Sequence, residues 1–546
     1  MPSVKIRPLA VLLVFPLLAQ ERSADYSLVH QIRQEAYEHS QVMDTLAFLT
    51  DRYGPRLASS PEFDEAADWA MKRLSGWGLS NVHAESWGPF GRTWSLKHLE
   101  VEMIEPRYSQ LNAMPLAWSE PTGKPLTADV VLAPFSPTPN QQKKTEEDFA
   151  KYTQEWHGRL KGKVVLFNKP HTSSLGTNPA LHRYTDAELA NMTKAPDAGV
   201  PKIDIRLEDV KIPEDPEEAG RYVASLPNAV RTALQDRNRE AGEKRDQWFV
   251  QEGVAALFLE DTRSHEGMVF AEQAGTRKAA DHLSRKFRIT EEQYNRMARL
   301  VEKNEQVKVR IDLEAAVGDR DVNAKNLVAE IPGGAKKDEV VMIGAHFDSW
   351  HGATGATDNA AGSAVMMEVM RVLNTLRVKM DRTVRLALWS GEEEGLLGSK
   401  AYVKEHFGDP DTMVLSGEHA KLAAYFNLDN GSGRIRGVYL QDNDAARPFF
   451  ERAFVPLRDP GVTTISIRNT GGTDHLSFDA VGLAGFQFIQ DPLDYMTITH
   501  HSSMDTYDHL IPEDLKQASL VIASIVAMEA NAPEMMPRKP LPAASR

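Results

Sequence analysis

The sequence predicts an α/β protein whose central sheet is mixed but largely parallel and flanked by helices, with a β-rich domain inserted before most of that sheet. Three observations predict this. From Asn326 onward, apolar runs of buried-strand length alternate with helical periodicity, the pattern of a sheet whose strands are joined through helices. Between Leu116 and Val317 the chain instead carries short β-like runs separated by long charged segments. With 546 residues, the chain is also too long for one ordinary core, so two domains, one inserted in the other, are expected.

The elements follow in chain order. "MPSVKIRPLAVLLVFPLLAQ" sets Lys5 and Arg7 before an apolar stretch from Pro8 to Ala19, then turns polar. That is the layout of a cleavable export signal, and it is too short to span a bilayer. In "SSPEFDEAADWAMKRLSGWGLSNV", Ser60 suits an N-cap and Pro61 the first helical position. Phe63, Ala66, Ala67, Ala70, Met71 and Leu74 then share one helical face before Gly76 and Gly78 stop it. "TWSLKHLEVEMIE" alternates as a strand.

In the middle region, "TADVVLAP", "GKVVLFNKP" and "GVAALFLED" read as short strands around a solvated insertion. Later, "NLVAEIPG" and "EVVMIGAHFD" are buried-strand runs, and "AGSAVMMEVMRVL" places Val365, Val369, Val372 and Leu373 on one helical face. "RTVRLALWSGEEEGLLGSKAYVKEH" repeats the scheme, and "KLAAYFNLDNGSG" adds a strand ending in an acid. No nucleotide-binding GxGxxG follows any of these strands, and no GxSxG is present.

Composition excludes several classes. Lys plus Arg number 63 against 77 Asp plus Glu, a net charge of −14, which argues against tracking nucleic acid or docking on anionic lipid. Past the signal-like segment, no stretch is long and apolar enough for a membrane span. Cysteine is absent, so disulfides, thiolate zinc sites and a cysteine nucleophile are excluded, and any metal must sit on His, Asp and Glu.

Such residues recur at successive strand ends. His346 and Asp348 follow "VVMIGA", Glu392, Glu393 and Glu394 follow "VRLALWSG", Asp429 follows "AAYFNL", and Asp358 opens the intervening helix. Taken singly, Asp358 reads as a helix cap and the glutamates as a solvated helix start. If the strands are parallel neighbours, however, all of them meet at the carboxyl edge of one sheet, where ligands gather in α/β folds.

The motifs "HFD", "TDN", "GEEEGLLGS", "NLDN" and "HHSSMDT", in that order, resemble the co-catalytic zinc exopeptidase family, which includes bacterial leucyl aminopeptidases and plasma glutamate carboxypeptidase (carboxypeptidase Q). The likeness extends to "DTLAFLTDRYGPRLASS" and covers nearly everything after Asn326. It implies the zinc exopeptidase fold, two zinc ions per chain and a peptide substrate. It also implies that Asp358 bridges the metals, that His346 and Asp429 complete one site and Glu393 and His501 the other, and that Glu392 is the general base. Glu394 becomes a bystander. His500 falls where some relatives carry a Tyr near the oxyanion. Asp348 suits an acceptor that orients the His346 imidazole. In "NTGGTDHLSFDAVGLAGFQ", His475 could line a substrate cleft, and Arg468 with Asn469 could anchor a substrate carboxylate; a loop histidine and a surface pair are the bland readings.

The middle region resembles a protease-associated domain in "GRLKGKVVLFNKP", "GVAALFLED" and "NEQVKVRIDLEAAV", with an extra charged stretch around residues 180–245. The division expected is therefore a signal peptide over 1–20, a first catalytic segment over 26–115, the protease-associated domain over 116–317, the zinc peptidase domain over 318–532 and a tail over 533–546. The function implied is an exported zinc metallo-exopeptidase, periplasmic or extracellular, acting as an aminopeptidase or as a carboxypeptidase or dipeptidase. A homodimer is left open. Two other readings are a catalytically silent binding protein like the transferrin receptor ectodomain and a glutaminyl cyclase. The complete ligand set weighs against both.

Overall fold

The computed structural model describes residues 25–136, 142–171, 179–195, 205–213, 222–223, 226, 228–261, 263 and 266–542. The signal-like segment over 1–20 lies outside them. The described residues form eighteen strands: β1 (Ser80–Gly91), β2 (Trp94–Glu105), β3 (Ser109–Gln110), β4 (Ala113–Pro115), β5 (Leu126–Leu132), β6 (Val164–Leu166), β7 (Ala256–Leu259), β8 (Lys286–Ile289), β9 (Lys308–Val317), β10 (Val322–Ile331), β11 (Lys336–His346), β12 (Arg382–Trp389), β13 (Gly408–Asp409), β14 (Val414–Leu415), β15 (Leu422–Asn427), β16 (Ile435–Tyr439), β17 (Thr464–Ser466) and β18 (Gly485–Gln490).

Two eight-stranded sheets result, one ordered β1-β10-β12-β11-β15-β18-β16-β17, the other β3-β2-β9-β5-β6-β7-β8-β4. In the first, β12, β11, β15 and β18 run parallel, while β1, β10 and β16 supply antiparallel pairings. Fold class is thus the mixed α/β arrangement that the alternating pattern predicts. The strands β11, β12 and β15 are buried along most or all of their length, as a sheet covered on both faces requires.

The chain leaves the first sheet after β1 and re-enters it at β10, which pairs with β1 antiparallel, so the second sheet is an insertion between two neighbouring strands. The sequence expectation starts that unit at residue 116, whereas β2 (Trp94–Glu105) already pairs along its length with β9 of the second sheet. Alternation identifies β2 as a strand but carries no information about which sheet it joins.

The helix Pro61–Gly76 forms as expected: the Ser60 hydroxyl accepts the Phe63 N–H at 3.1 Å, Pro61 opens the helix, and Phe63, Ala66, Ala67, Ala70 and Leu74 are buried. The helix Ala361–Thr375 differs from a one-sided amphipathic helix, because every residue from Ala361 to Leu373 is buried. It packs under the first sheet against the helix Pro512–Ala530, which is buried over most of its length. Its two charges survive burial as a network, Arg371 donating to Glu368 at 2.8 and 2.9 Å and to Glu35 at 2.6 Å. Among the described residues, no helix is long and apolar enough to cross a membrane.

Candidate metal centre

Parallel pairing decides where the ionisable residues fall. His346 at the end of β11 is in register with Trp389 at the end of β12, and Gly344 with Asn427 at the end of β15. Glu392 and Glu393, just past β12, and Asp429, just past β15, therefore reach the edge that His346 occupies. Asp358 arrives from the tight turn Ala356–Ala360 that precedes the helix Ala361–Thr375. That turn needs the glycine before it: Gly355 has φ +63°, and a Cβ there would lie 2.3 Å from Ser349 Cβ. His501, also in a left-handed conformation, comes from the loop after Tyr495–Thr499.

The structure brings all five expected ligands together. His346 Nε2 lies 3.2 Å from Asp358 Oδ1 and 3.3 Å from Asp429 Oδ1. His501 Nε2 lies 3.0 Å from Glu393 Oε2 and 3.3 Å from Asp358 Oδ2. Asp358 thus turns one oxygen to each imidazole. Glu392 Oε2 stands 3.9 Å from His346 Nε2. His500 Nε2 is 3.9 Å from Asp358 Oδ2, and its ring stacks on His501 with centroids 3.8 Å apart. His501 is the better placed of the two, because it alone reaches Glu393.

Burial and the close packing of acids and imidazoles shift the protonation of the cluster. Burial disfavours a charged His346, yet Asp429 and Glu392 raise its pKa well above the ordinary value. Burial likewise acts against charge on His501, but Glu393 and Asp358 hold it at about 10. Glu393 is pushed up to about 7 by burial and by Asp358. Asp358 is driven down by the two imidazoles despite its burial. The imidazoles are the cations in contact with Asp358, Glu393 and Asp429, and two zinc ions, each adding +2 to three carboxylates, would take over that role.

The donor set fits such ions. Oxygen and nitrogen atoms of His346, Asp358 and Glu393, and of His346, Glu392 and Asp429, lie within 4.8 Å of one another. Asp358 Oδ2 and Asp429 Oδ1 are buried and make no hydrogen bond of good geometry. His346 Nδ1 lies 3.0 Å from the carbonyl of Asp348, which can only accept, so Nδ1 carries a proton and Nε2 can point a lone pair at the cluster.

Three expectations are altered. Asp348 orients His346 through its main-chain carbonyl; its carboxylate stands 3.8 Å from Nδ1 and accepts the N–H groups of Glu392 and Glu393, each at 3.4 Å. Arg468 and Asn469 are not turned to the cluster: Arg468 donates to the carbonyls of Asn191 and Lys194 in the insertion, and Asn469 to Asp442. His475 is fully buried, its Nε2 against Gln441 and the Thr470 carbonyl, so it lies beneath the surface instead of lining a cleft.

Two residues escaped sequence reasoning. Asp505 takes the Thr357 N–H at 2.6 Å, the Thr357 hydroxyl at 2.8 Å and the Asp358 N–H at 3.1 Å. Arg56, completely buried, donates to the carbonyls of Phe347, Leu49, Thr354 and Gly355 at 2.8 to 3.0 Å, tying the N-terminal segment to the loop that carries Asp358. Burial lowers its pKa to about 10, and it remains charged at neutral pH.

Comparison with known proteins agrees with this geometry. Residues 326–526 match the description of peptidase family M28. Carboxypeptidase Q of Bos taurus is 25% identical over 500 residues, covering 91% of this chain and 86% of that protein. Aminopeptidase YwaD of Bacillus subtilis (strain 168) is 29% identical over 201 residues, 36% of this chain and 42% of that one. Among solved structures, a peptidase M28 precursor from Shewanella amazonensis SB2B shares the fold with a TM-score of 0.64 at 24% identity, over 95% of this chain and 99% of that one. A zinc aminopeptidase from Bacillus subtilis does so at 0.53 and 18%, over 89% and 94%. Through residues 326–526 the chain is similar to peptidase family M28, and this likeness, with that to carboxypeptidase and aminopeptidase relatives, supports a metallopeptidase.

Proposed function

We propose that the protein is an exported exopeptidase that holds two zinc ions and hydrolyses terminal peptide bonds of peptides. The observation that carries the reading is the division of Asp358, with Oδ1 toward His346 and Oδ2 toward His501. His346 and Asp429 would hold one ion, Glu393 and His501 the other, with Asp358 between them. Zinc bound there would supply Lewis acidity to the scissile carbonyl and lower the pKa of water.

The remaining work falls to the chain. Glu392, buried and facing the cluster, would take the proton of the attacking water and return it to the leaving amine. Burial and the neighbouring acid Asp429 raise its pKa well above that of an ordinary glutamate, although His346 opposes them. Asp348 fixes the base and the adjacent ligand together, since one carboxylate accepts both of their amides. The second sheet is read as a protease-associated domain, with its boundary moved to the β1–β2 turn. It packs beside the cluster, and His351 Nε2 meets the Pro115 carbonyl at 2.7 Å.

The likeness to carboxypeptidase Q over most of both chains favours attack at dipeptides or carboxyl termini. The decisive experiment pairs zinc stoichiometry with hydrolysis of dipeptides blocked at either terminus. Cleavage of the amino-blocked substrate only indicates a carboxypeptidase, cleavage of the carboxyl-blocked one only an aminopeptidase. Absence of hydrolysis from zinc-loaded protein with every dipeptide would refute the exopeptidase reading.

A further inference from the structure

The inserted sheet repeats, on a smaller scale, the arrangement that builds the first site. Strands β6, β7 and β8 are parallel neighbours. Each is followed by a residue able to bind metal: His171 after β6, Glu260 directly after β7, and Glu291 after β8 at the start of the helix Glu291–Glu302. One ligand atom from each lies within 4.8 Å of the other two.

The surroundings are built to hold these segments still. Asn168 accepts the Glu260 N–H through its side chain at 3.1 Å, and its backbone N–H and carbonyl each lie 2.8 Å from the Tyr294 hydroxyl. Glu260 Oε2 accepts the His171 N–H at 3.2 Å, and Asn295 Nδ2 donates to the His171 carbonyl at 2.5 Å. Two oxygens stay unsatisfied inside this frame, Glu260 Oε1 and Asn295 Oδ1, on side chains only 4% and 7% exposed. A buried oxygen without a donor costs about 1–3 kcal/mol, more if charged, so Glu260 Oε1, on one of the three clustered residues, calls for a partner. Arg288 does not serve: its Nη1 goes to the Glu260 carbonyl and its Nη2 to Glu272.

We propose that His171, Glu260 and Glu291 form a separate site for a divalent transition-metal ion of the zinc class. One imidazole with two carboxylates suits zinc, manganese or cobalt; calcium prefers an all-oxygen shell of higher number. The ion would pin the β6 loop, which leads toward the charged insertion, to the ends of β7 and β8. The site stands independently of the peptidase reading.

The test is zinc counting on the full-length protein after equilibration with zinc chloride and removal of the excess. His171→Ala, at an exposed position, is expected to carry one zinc fewer than wild type while hydrolysing peptides at the wild-type rate. The same deficit should appear when both are compared in an Asp358→Asn background, which separates this site from the first. Glu260→Gln, close in size to the original, should weaken zinc binding there by about 100-fold or more, since even partners outside the ligand shell contribute 10- to 100-fold. Thermal melting of each variant reports whether it is folded. Equal zinc content in wild type and folded His171→Ala would overturn the proposal, as would displacement of the bound zinc by equimolar calcium.

Discussion

Asp505 holds Asp358 from behind: one carboxylate accepts the backbone N–H groups of both Thr357 and Asp358, at 2.6 and 3.1 Å. The bridging candidate is therefore aimed by a residue outside the five candidate ligands. Asp505→Asn keeps the shape but turns one acceptor into a donor facing an N–H. Metal affinity is expected to fall by about 10- to 100-fold. Titration with a competing chelator measures it; unchanged affinity would remove Asp505 from the site.

Asp358→Asn should cost far more. An amide offers one neutral oxygen where the carboxylate offers two charged ones, so it can neither span two ions nor balance their charge. Loss of zinc from both positions is expected, and elemental analysis of the purified variant reads it. Two ions still bound would contradict the bridge.

Glu392→Gln separates chemistry from metal binding. Glutamine keeps the volume but cannot accept a proton, and turnover is expected to drop by about 100- to 10,000-fold with zinc content intact. Steady-state kinetics alongside zinc counting decide it. Near-normal turnover would exclude Glu392 as the base.

Arg56→Lys tests the tether behind the loop. A lysine cannot reproduce a planar fork spread over four carbonyls, so acceptors are left unsatisfied in a dry site. We expect a loss of about 2–4 kcal/mol of unfolding free energy, measured by denaturant titration.

Away from the cluster, Glu529 is buried under the sheet, and its pKa is pushed up to about 8 by burial, with Arg382 and the Met536 N–H opposing the rise. The folded protein thus keeps a proton that the unfolded chain releases near pH 4.5. Between that value and about 8 the unfolded state binds fewer protons, so this residue's contribution to stability falls as pH rises, by at most about 1.4 kcal/mol per pH unit. Glu529→Gln should flatten that slope. Urea titrations of both proteins at pH 5 and pH 8 would show the difference, and identical slopes would contradict it.

Much of the architecture is written in patterns that burial enforces. Continuous apolar runs mark β11, β12 and β15, and the acids and histidine at their ends converge because neighbouring parallel strands end together. What the pattern hides is pairing choice. Strand β2 alternates like any half-covered strand, and only its ladder with β9 assigns it to the second sheet. Asp505 and Arg56 are hidden for another reason: their partners are backbone amides and carbonyls, present at every position and so without a signature in the sequence. Arg468 shows the converse. Its charge invites a substrate role, but carbonyls of the insertion, distant in sequence, claim its donors.

The backbone link between the two sheets has a consequence for engineering. Ala271 donates its N–H to the His501 carbonyl at 2.8 Å, and Ser503 donates to the Val269 carbonyl at 2.8 Å, so the segment carrying a candidate ligand is laced by main chain to the inserted unit. Excising residues 92–321 and closing the gap would leave the His501 carbonyl and the Ser503 N–H without these partners and free His501 to drift from Glu393. The insertion cannot be treated as a detachable accessory or grafted in exchange for a foreign one, because shortening this molecule to its peptidase half would dismantle the very cluster it was meant to isolate.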